Sequence, residues 1–537
     1  MVLNRVTYRR RLSYNTKSNK TRLNKTPGGK LVVLNSTKKT QLAKCGDCKI
    51  ELKGIPAVRP KKMASLSKRV KTVSRTYGGR RNDMMRLLRR LCRADTFRNI
   101  SQPCSLRQPC ASLSVVHPAV PYDVVIVGGG LVGNAAAVAL ALEESLENKR
   151  ILLLDQSEKE PSFEPEEGFN LRVINLTVGN QEFLDRIGVW DRIKTMRHHS
   201  YNKIYNWESS SNHTISFTAE PMGYIVENNV IETGLLEIAK NLHNVDIRRG
   251  EAVNEIKLPL DQSKEQVVVG LESGDVVETS LLIGADGANS YVRKVLDSPV
   301  LSWMYDQQGI VCTLRSPCLD KDDVAYQRFL SSGPIALLPL GGGLFSLVWS
   351  CRSNIATELM NLSEEEFVAR ANNALQKPAV VPAPVAAMET VSDYLGFSEH
   401  PPQTPLITAI EGARAKFPLG FSNSARYIGP RTVLLGDAAH RVHPLAGQGA
   451  NIGFRGVQQL VKYISENPHR QLGDFRVLNS FESSLQRQVT PMLCFIDGMQ
   501  KLYSTTLDPF VAARSYGLGV INQLPFLKNS ILDRARS

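Results

Sequence analysis

The sequence predicts an α/β protein with a Rossmann-like nucleotide-binding domain, an interleaved antiparallel-sheet domain and a C-terminal run of helices. Three observations carry that expectation. Residues 122–127 form a β-branched run that leads into Gly128-Gly129-Gly130-Leu131-Val132-Gly133. A second apolar run, Leu281-Leu282-Ile283, ends in Gly284-Ala285-Asp286-Gly287. A third, Thr432-Val433-Leu434-Leu435, ends in Gly436-Asp437. Apolar strands that break at small residues and open into helices are the units of a parallel sheet.

The first run matches G-x-G-x-x-G at Gly128, Gly130 and Gly133. Residues 134–142 are Ala/Leu-rich and read as a helix, and residues 150–154 read as the next strand. That strand ends in Asp155, 22 positions after Gly133, near the spacing of a ribose-binding carboxylate. The glycines allow a tight turn, close approach of backbone to a pyrophosphate, and close helix–strand packing. Residues 124–142 are apolar enough to suggest a membrane span, but three consecutive glycines and an Asn argue against one.

The third run continues as Gly436-Asp437-Ala438-Ala439-His440-Arg441-Val442-His443-Pro444-Leu445-Ala446-Gly447-Gln448-Gly449-Ala450-Asn451. A carboxylate at a strand end can accept from sugar hydroxyls. The Gly447-Gln448-Gly449 turn exposes N–H groups at a helix N-terminus, where negative charge is favoured. His440 and His443 lie three apart, but no Cys or acidic cluster accompanies them, so no metal site is expected. No Ser-His-Asp or paired-carboxylate constellation stands out, and no catalytic base is assigned.

Residues 201–217 and 308–351 alternate apolar and polar positions, as antiparallel strands do. Phe345 and Trp349 are candidates for lining a cleft there, core packing being the commoner role. Residues 378–384 form a Pro/Ala/Val-rich loop. Residues 480–535 turn helical, with Met492, Leu493, Phe495, Ile496, Leu518, Leu524, Phe526 and Leu527 either packing on the nucleotide domain or forming a greasy exit. No clean apolar run of about 20 residues exists, so any membrane association is expected to be peripheral.

Charge divides the chain. Residues 1–110 hold 29 Lys+Arg against 4 Asp+Glu, while the remainder holds 37 against 47. A strongly basic head on a mildly acidic body points to nucleic-acid contact or targeting. Nine cysteines show no framework. Five lie in the head (Cys45, Cys48, Cys92, Cys104, Cys110), and the other four (Cys312, Cys318, Cys351, Cys494) read as reduced core residues.

Taken in order, the three motifs resemble the group A flavin monooxygenases. His443-Pro444-Leu445-Ala446-Gly447-Gln448-Gly449, Ala325-Tyr326-Gln327-Arg328-Phe329-Leu330 and Gly223-Tyr224-Ile225-Val226-Glu227-Asn228 resemble the UbiH-type ubiquinone-biosynthesis hydroxylases, particularly the mitochondrial branch. The similarity runs from about Pro121 to the C-terminus. It implies FAD as cofactor and ring hydroxylation of a polyprenylated phenol with O2. Gly128, Gly130 and Gly133 would hold the pyrophosphate turn, Asp155 the adenosine ribose, and Arg172 would sit beside the cofactor. Asp286 and Gly287 would lie near the pyrophosphate. Gly436 and Asp437 would meet the ribityl chain, and Pro444, Gly447, Gly449 and Asn451 the flavin side. The flavin supplies oxygen activation, and the protein supplies orientation and water exclusion. No second G-x-G-x-x-G serves a nicotinamide, which in the family fits an external donor, a ferredoxin with its reductase. A coenzyme Q biosynthetic complex and the matrix face of the mitochondrial inner membrane are also implied. One departure is plain: Gly456 follows Arg455 where the family usually has an aspartate. A flavin hydroxylase of another phenol stays open as an alternative.

Residues 1–79 resemble a eukaryotic large-subunit ribosomal protein, number thirty-four, through Thr7-Tyr8-Arg9-Arg10-Arg11, Ser18-Asn19-Lys20-Thr21-Arg22 and Val73-Ser74-Arg75-Thr76-Tyr77-Gly78-Gly79. Such a module implies contact with ribosomal RNA. Cys45 and Cys48 are half of a four-cysteine zinc site whose second half is missing, so no metal is expected. Arg86, Arg89, Arg90 and Arg93 then share one helical face opposite Leu87, Leu88 and Leu91, as in a mitochondrial presequence. The expected organisation is 1–83 truncated ribosomal-like fragment, disordered and not folding alone; 84–120 presequence-like segment and linker; 121–200, 226–303 and 426–475 FAD-binding; 201–225 and 304–425 substrate domain; 476–537 helical. On this reading the natural enzyme starts at Met84 or Met85. A ribosome-associated protein carrying the flavoprotein as passenger is the alternative of a different class.

Overall fold

The computed structural model describes residues 21–28, 31–35 and 120–505, apart from 167, 262–264, 318–322, 382–384, 387–389, 391–393 and 395–400. It also describes 510, 511, 513, 514, 517, 521 and 524–536. The basic helix expected at 84–93, the pair Cys45 and Cys48, Cys318 and Leu518 lie outside the described residues. The chain divides into two units, Met1–Leu113 and Ser114–Ser537. In the first, strands Thr21–Lys25 and Leu31–Asn35 pair antiparallel, with Thr21 opposite Asn35, which corrects the expectation of disorder there: the apolar run Leu31-Val32-Val33-Leu34 forms a strand.

The second unit contains two sheets. In the first, the strand order is Ile428–Gly429, Thr432–Leu434, Val276–Gly284, Val120–Val127, Ile151–Asp155, Val245–Arg249. From Thr432–Leu434 onward these strands are parallel. Val267–Leu271 and Val253–Lys257 extend it antiparallel beside Val276–Gly284. The parallel strands are continuously apolar because helices cover both faces of such a sheet. Val124, Val125, Ile126, Ile151, Leu152, Leu153, Leu281, Leu282 and Ile283 are accordingly inaccessible to solvent. Helix Leu131–Ala141 is buried over most of its length and packs against helices Asn228–Lys240 and Gly449–Ser465. The last approach is close: a Cβ on Gly453 would stand 2.6 Å from a Val132 methyl.

The second sheet has nine strands, in the order His440–Arg441, Ala409–Ser424, Val300–Arg315, Leu344–Arg352, Gly333–Gly341, Val324–Leu330, His199–Glu208, Thr214–Glu227, Val173–Leu176. Pairing is antiparallel except where Val324–Leu330 runs parallel to His199–Glu208. Parallel neighbours need a crossover connection, and here residues 209–323 supply it. Val173–Leu176 corrects the sequence division in one respect. It lies within 121–200 but pairs with Thr214–Glu227 in this second sheet, four residues being too few for periodicity to assign.

Side-chain alternation gives the second sheet two distinct faces. On one, Phe345, Leu347, Trp349, Ile310, Ile335 and Tyr326 pack beneath helices Ser353–Asn361 and Glu364–Gln376. Phe345 and Trp349 therefore belong to a core cluster under those helices, not to the face turned toward the first sheet's motifs. On the other, Phe329 stacks on Tyr503 of helix Phe475–Ser504 at 3.9 Å between ring centroids. Cys312 and Cys351 are buried free thiols; Cys494 is exposed, contrary to a core role, because it faces outward on that helix. Among the described residues no helix is long and apolar enough to cross a membrane.

Candidate functional site

The strand register brings the sequence motifs together. Gly284 lies opposite Val127 on one side and Leu434 on the other, and Val127 lies opposite Leu154. Gly128, Asp286, Gly436-Asp437 and Asp155 thus leave one edge of the sheet, at the carboxyl ends of four adjacent parallel strands. Ligands of open α/β sheets bind at that edge.

Sterics fix the glycine turn. Gly128 has φ +110°, and a Cβ there would stand 2.4 Å from the Ala285 carbonyl oxygen. A Cβ on Gly133 would stand 1.8 Å from the Gly128 oxygen, and one on Gly129 2.7 Å from Asp155 Oδ2. Gly130 is the N-cap of helix Leu131–Ala141 and offers no side-chain cap; Glu232 faces the Leu131 N–H, and the next N–H groups of the helix remain available. The Asn134 amide holds the turn shut, donating to the carbonyls of Gly129 and Gly130.

Charges surround this turn. Asp155 Oδ2 pairs with Arg249 at 2.9 Å, and Oδ1 accepts from Ser157 N at 3.2 Å. Arg249 sits directly across from Asp155 on the neighbouring strand, and its Nε and Nη1 are buried without a hydrogen-bond partner. Glu232, on helix Asn228–Lys240, faces the Leu131 backbone. Burial pushes its carboxyl above the usual range and Asp155 adds to this, while Arg172 and Arg249 oppose it. Arg172 itself is exposed, its backbone N–H held by Asn170 Oδ1 at 2.9 Å.

The two aspartate motifs are joined by Arg293. Its Nη1 donates to the Ala438 and Asp437 carbonyls at 2.8 and 3.3 Å, and its Nη2 donates to Ala288 O at 2.5 Å. Asp286 Oδ2 accepts from Tyr291 N and Val292 N, while its Oδ1 is buried with no partner. Gly287 has φ +75°, which lets the chain turn directly after Asp286. Gly436 has φ +57°, and a Cβ there would lie 3.0 Å from Val132. Asp437 stands in a crevice that solvent can enter. Surrounding protein nevertheless raises its carboxyl above the usual range, with Arg441 and Arg293 pulling it down.

Downstream, Pro444–Ala446 makes one 3-10 turn, capped by Gly447 in the left-handed region at φ +61°. A Cβ on Gly449 would meet nothing within 4 Å, so the start of helix Gly449–Ser465 presents an open backbone face. His443 is buried. Its Nδ1 accepts from Leu445 N at 3.1 Å, and its Nε2 meets Gln307 Oε1 at 3.2 Å. Burial depresses its pKa to about 4. His440, also depressed to about 4 by burial, packs edge-on to Tyr427, and its Nε2 has no partner. Asn451 departs from a direct ligand role. Its Nδ2 donates to the Asn175 and Gly447 carbonyls at 2.7 and 3.2 Å, and its Oδ1 accepts from Thr177 N and Asn180 Nδ2. The side chain is committed to holding the glycine turn against strand Val173–Leu176.

Gly456 also has an explanation. A Cβ there would touch Leu435 and Leu485 at 3.4 and 3.7 Å, so an aspartate would carry its carboxylate into apolar surroundings. Sequence reading passed over Glu232, Arg249 and Gln307. Arg249 ends a strand with three charges in five residues, which reads as a surface strand, and all three reach the site only through tertiary packing.

The arrangement fits a flavin dinucleotide. A glycine turn packed against Ala285, Asp155 and its own backbone, where no Cβ fits, lets backbone N–H groups approach a pyrophosphate closely. Asp155 and Asp437 offer sugar-accepting carboxylates on either side of it, and the buried orphan atoms of Arg249 and Asp286 call for further partners. A family model described as FAD binding domain matches residues 121–393 and 415–487. Ubiquinone biosynthesis monooxygenase COQ6, mitochondrial, of Caenorhabditis elegans is 36% identical over 429 residues, covering 77% of this chain and 95% of the relative. Its Homo sapiens counterpart is 38% identical over 433 residues, covering 76% and 92%.

The chain belongs to the ubiquinone biosynthesis monooxygenase family. FAD is the cofactor of this family member. Its fold is that of solved flavin monooxygenases. The probable FAD-dependent monooxygenase pqsL of Pseudomonas aeruginosa aligns with TM-score 0.56 at 20% identity, covering 74% of this chain and all of that one. The p-nitrophenol 4-monooxygenase PnpA of Pseudomonas putida aligns with TM-score 0.56 at 16% identity, covering 78% and 99%. A separate model, ribosomal protein L34e, matches residues 1–91 and so ends inside the segment read as a presequence.

Proposed function

We propose that this family member hydroxylates the aromatic ring of a polyprenylated phenol in ubiquinone biosynthesis, in the mitochondrion, with O2 and an electron donor. The observation that carries the reading is the convergence of the three motifs on one sheet edge, in a chain that spans over nine-tenths of its relatives. When bound, FAD supplies the activation of oxygen for attack on an electron-rich ring.

This chain's residues do the rest. The N–H groups of the Gly128–Gly133 turn and the start of helix Leu131–Ala141 hold the pyrophosphate. Asp155, oriented by Arg249, accepts from the adenosine ribose, and Arg172 flanks the cofactor beside Glu232. Asp286 and Gly287 shape the pyrophosphate wall. Asp437, following Gly436, accepts from the ribityl hydroxyls. Pro444, Gly447 and Gly449 present an open backbone face to the ring, and Asn451 locks that turn. His443 stays neutral and holds the turn to Gln307. The phenol enters between this turn and the face of the second sheet that carries Phe329, where Phe329, Tyr503 and Ile215 pack closely and exclude water.

The finer proposal places the enzyme peripherally on the matrix face of the inner membrane, within a coenzyme Q biosynthetic complex, with a ferredoxin and its reductase as donor. The long hydrophobic tail of the substrate and the exposed Phe495, Phe510, Leu524 and Phe526 support that placement. Reconstitution tests it: purified protein with flavin, a reduced ferredoxin and a prenylphenol in liposomes should give hydroxylated product that disappears without any one of them. A flavoprotein that consumes reductant without hydroxylating the prenylphenol moves the reading to another phenol.

A second reading concerns the head alone. The L34e match over 1–91 and the net charge there favour contact with ribosomal RNA. Binding that weakens steeply with salt supports it; salt-independent or absent binding removes it.

A further inference from the structure

A cavity of about 510 Å³ lies on the helix-covered face of the second sheet, away from the sheet edge that carries the motifs. Its floor is built from the same alternation that separates the two faces. On strand Val324–Leu330, Gln327 and Phe329 turn toward the helix Phe475–Ser504 side, where Gln327 Nε2 donates to Leu445 O at 2.9 Å and Phe329 stacks on Tyr503. Arg328 therefore points the other way, into the layer beneath helix Glu364–Gln376.

Arg328 is an unusual group to find there. It is 3% exposed, and no carboxylate lies within salt-bridge distance of it among the described residues. Its Nη1 and Nη2 donate to the Ala374 and Lys377 carbonyls at 3.1 and 2.6 Å, the orphan acceptors at the end of helix Glu364–Gln376. Its Nε is buried with no partner. Those backbone contacts satisfy two donors but leave a whole positive charge without a counter-ion, and burial lowers its pKa. Trp349, 5% exposed and also lining the cavity, has an indole Nε1 with no partner either. Two buried orphan donors beside one cavity are rare in a native fold.

The remaining lining has the same sign. Arg370, Lys377 and Arg514 contribute to the wall, and among the described residues no Asp or Glu does. Arg514 is neutralised by Glu208 at 2.7 Å and Arg370 by Glu358 at 3.2 Å, so among the described residues Arg328 and Lys377 are the charges left over. Leu330, Ile355, Leu359 and Val511 make the rest of the wall apolar.

We propose that this cavity is a second ligand site, for an amphipathic organic anion: a carboxylate or phosphate monoester head on an apolar body. The head takes the Arg328 Nε–H and Trp349 Nε1–H donors and the Lys377 charge, and the body lies against the leucine and isoleucine wall. A soluble acyl or alkyl acid and the phosphate head of a membrane lipid share this chemistry. The site is distinct from the flavin edge, so its ligand is not the ring being oxidised.

Calorimetric titration of the flavin-loaded full chain tests it with four probes: octanoate, octyl phosphate, inorganic phosphate, and vesicles of phosphatidylcholine with or without phosphatidic acid. Octanoate or octyl phosphate should bind at one site, more tightly than inorganic phosphate, because the apolar wall adds to the head. Binding only to the phosphatidic acid vesicles assigns the source to a lipid surface where Trp349→Phe and Lys377→Glu weaken it; vesicle binding that both variants leave unaltered belongs to the basic head and counts against the site. Trp349→Phe keeps an aromatic ring and removes the donor, and Lys377→Glu reverses a side-chain charge while keeping the backbone carbonyl that accepts from Arg328. Each should weaken binding about tenfold or more, the usual worth of a hydrogen bond to a charged group. Flavin content should be unchanged in both. Arg328→Met is the sharper variant but risks unfolding the helix end, so the other two decide. No binding of any probe, or binding that both Trp349→Phe and Lys377→Glu leave unaltered, overturns the proposal.

Discussion

His443 Nε2 and Gln307 Oε1 stand 3.2 Å apart, linking the turn beside the glycines to the long strand Val300–Arg315 of the second sheet. Because Nδ1 accepts from Leu445 N, the proton of the neutral ring must sit on Nε2 and be donated to Gln307. Gln307 is oriented in turn by Ser332, whose carbonyl takes its amide N–H at 3.1 Å, and its Oε1 also accepts from Gln500 at 3.0 Å. One tautomer thus ties the second sheet and the C-terminal helix to the same turn.

Acid should loosen this tie. The folded pKa of His443 lies at about 4, below the ordinary value of 6.5, so between those values the unfolded chain binds more protons than the native one. Stability is then fully present above about pH 6.5 and falls as pH drops toward 4, by up to about 3 kcal/mol for this group. His440 adds a second contribution of the same sign. Urea unfolding between pH 4.5 and 7 measures the slope, and His443→Gln should flatten it. A slope unchanged in that variant would remove His443 from the account.

Substitutions in the glycine turn should separate folding from flavin binding. Gly133→Ala drives a methyl into the Gly128 carbonyl and must shift the helix, so flavin affinity should fall at least tenfold along with stability. Gly449→Ala meets open space in the protein, so the thermal midpoint of the flavin-free form should stay within about 2 °C, while the added methyl stands where the cofactor approaches. Flavin absorbance after gel filtration reads both. Full flavin retention in Gly449→Ala would place the cofactor elsewhere.

Asp155→Asn should weaken flavin binding and expose the cost of its partner. Arg249, with 11% of its side chain exposed, would lose its carboxylate while keeping two orphan nitrogens. A loss of about 1–3 kcal/mol of stability is expected from the unpaired guanidinium. Asp155→Asn combined with Arg249→Met should recover part of the stability but not the flavin affinity. Recovery of both would show the pair to be structural only.

The C-terminal segment is fastened by a buried ion pair. Glu208 and Arg514 meet at 2.7 Å with 0% and 5% of their side chains exposed, and Ser210 and Ser211 complete the carboxylate. Arg514→Met leaves Glu208 charged and unpaired, and should cost about 3–5 kcal/mol. Glu208→Gln with Arg514→Met should cost less than either alone. Limited proteolysis would show cleavage after helix Phe475–Ser504 in the single variant first.

The motifs were legible because each is local: strand, small-residue turn and helix lie within some twenty residues, and the periodicity that marks them is the one that places them. Their convergence was legible only through resemblance, since register between distant strands has no local signal. Glu232, Arg249 and Gln307 come from elements between the motifs, where a charge or an amide reads like any surface residue until packing places it. Phe345 and Trp349 show the complementary limit. Alternation separates two faces of a strand but does not say which face the helices cover, so both were visible as apolar positions and only the fold put them under Glu364–Gln376. Asn451 was found by motif, but its role as a four-bond brace depends on Asn175, Thr177 and Asn180, more than 270 positions away.

The central claim is ring hydroxylation in ubiquinone synthesis at the motif-bearing sheet edge. The most direct measurement expresses this chain, carrying a mitochondrial leader, in a ubiquinone-deficient strain that lacks its own ring hydroxylase, and follows ubiquinone and prenylphenols by mass spectrometry. Restored ubiquinone with depletion of the accumulated prenylphenol, both abolished by Gly133→Ala, is the predicted result. A chain that reaches mitochondria with flavin bound, yet leaves the prenylphenol unchanged, would contradict it.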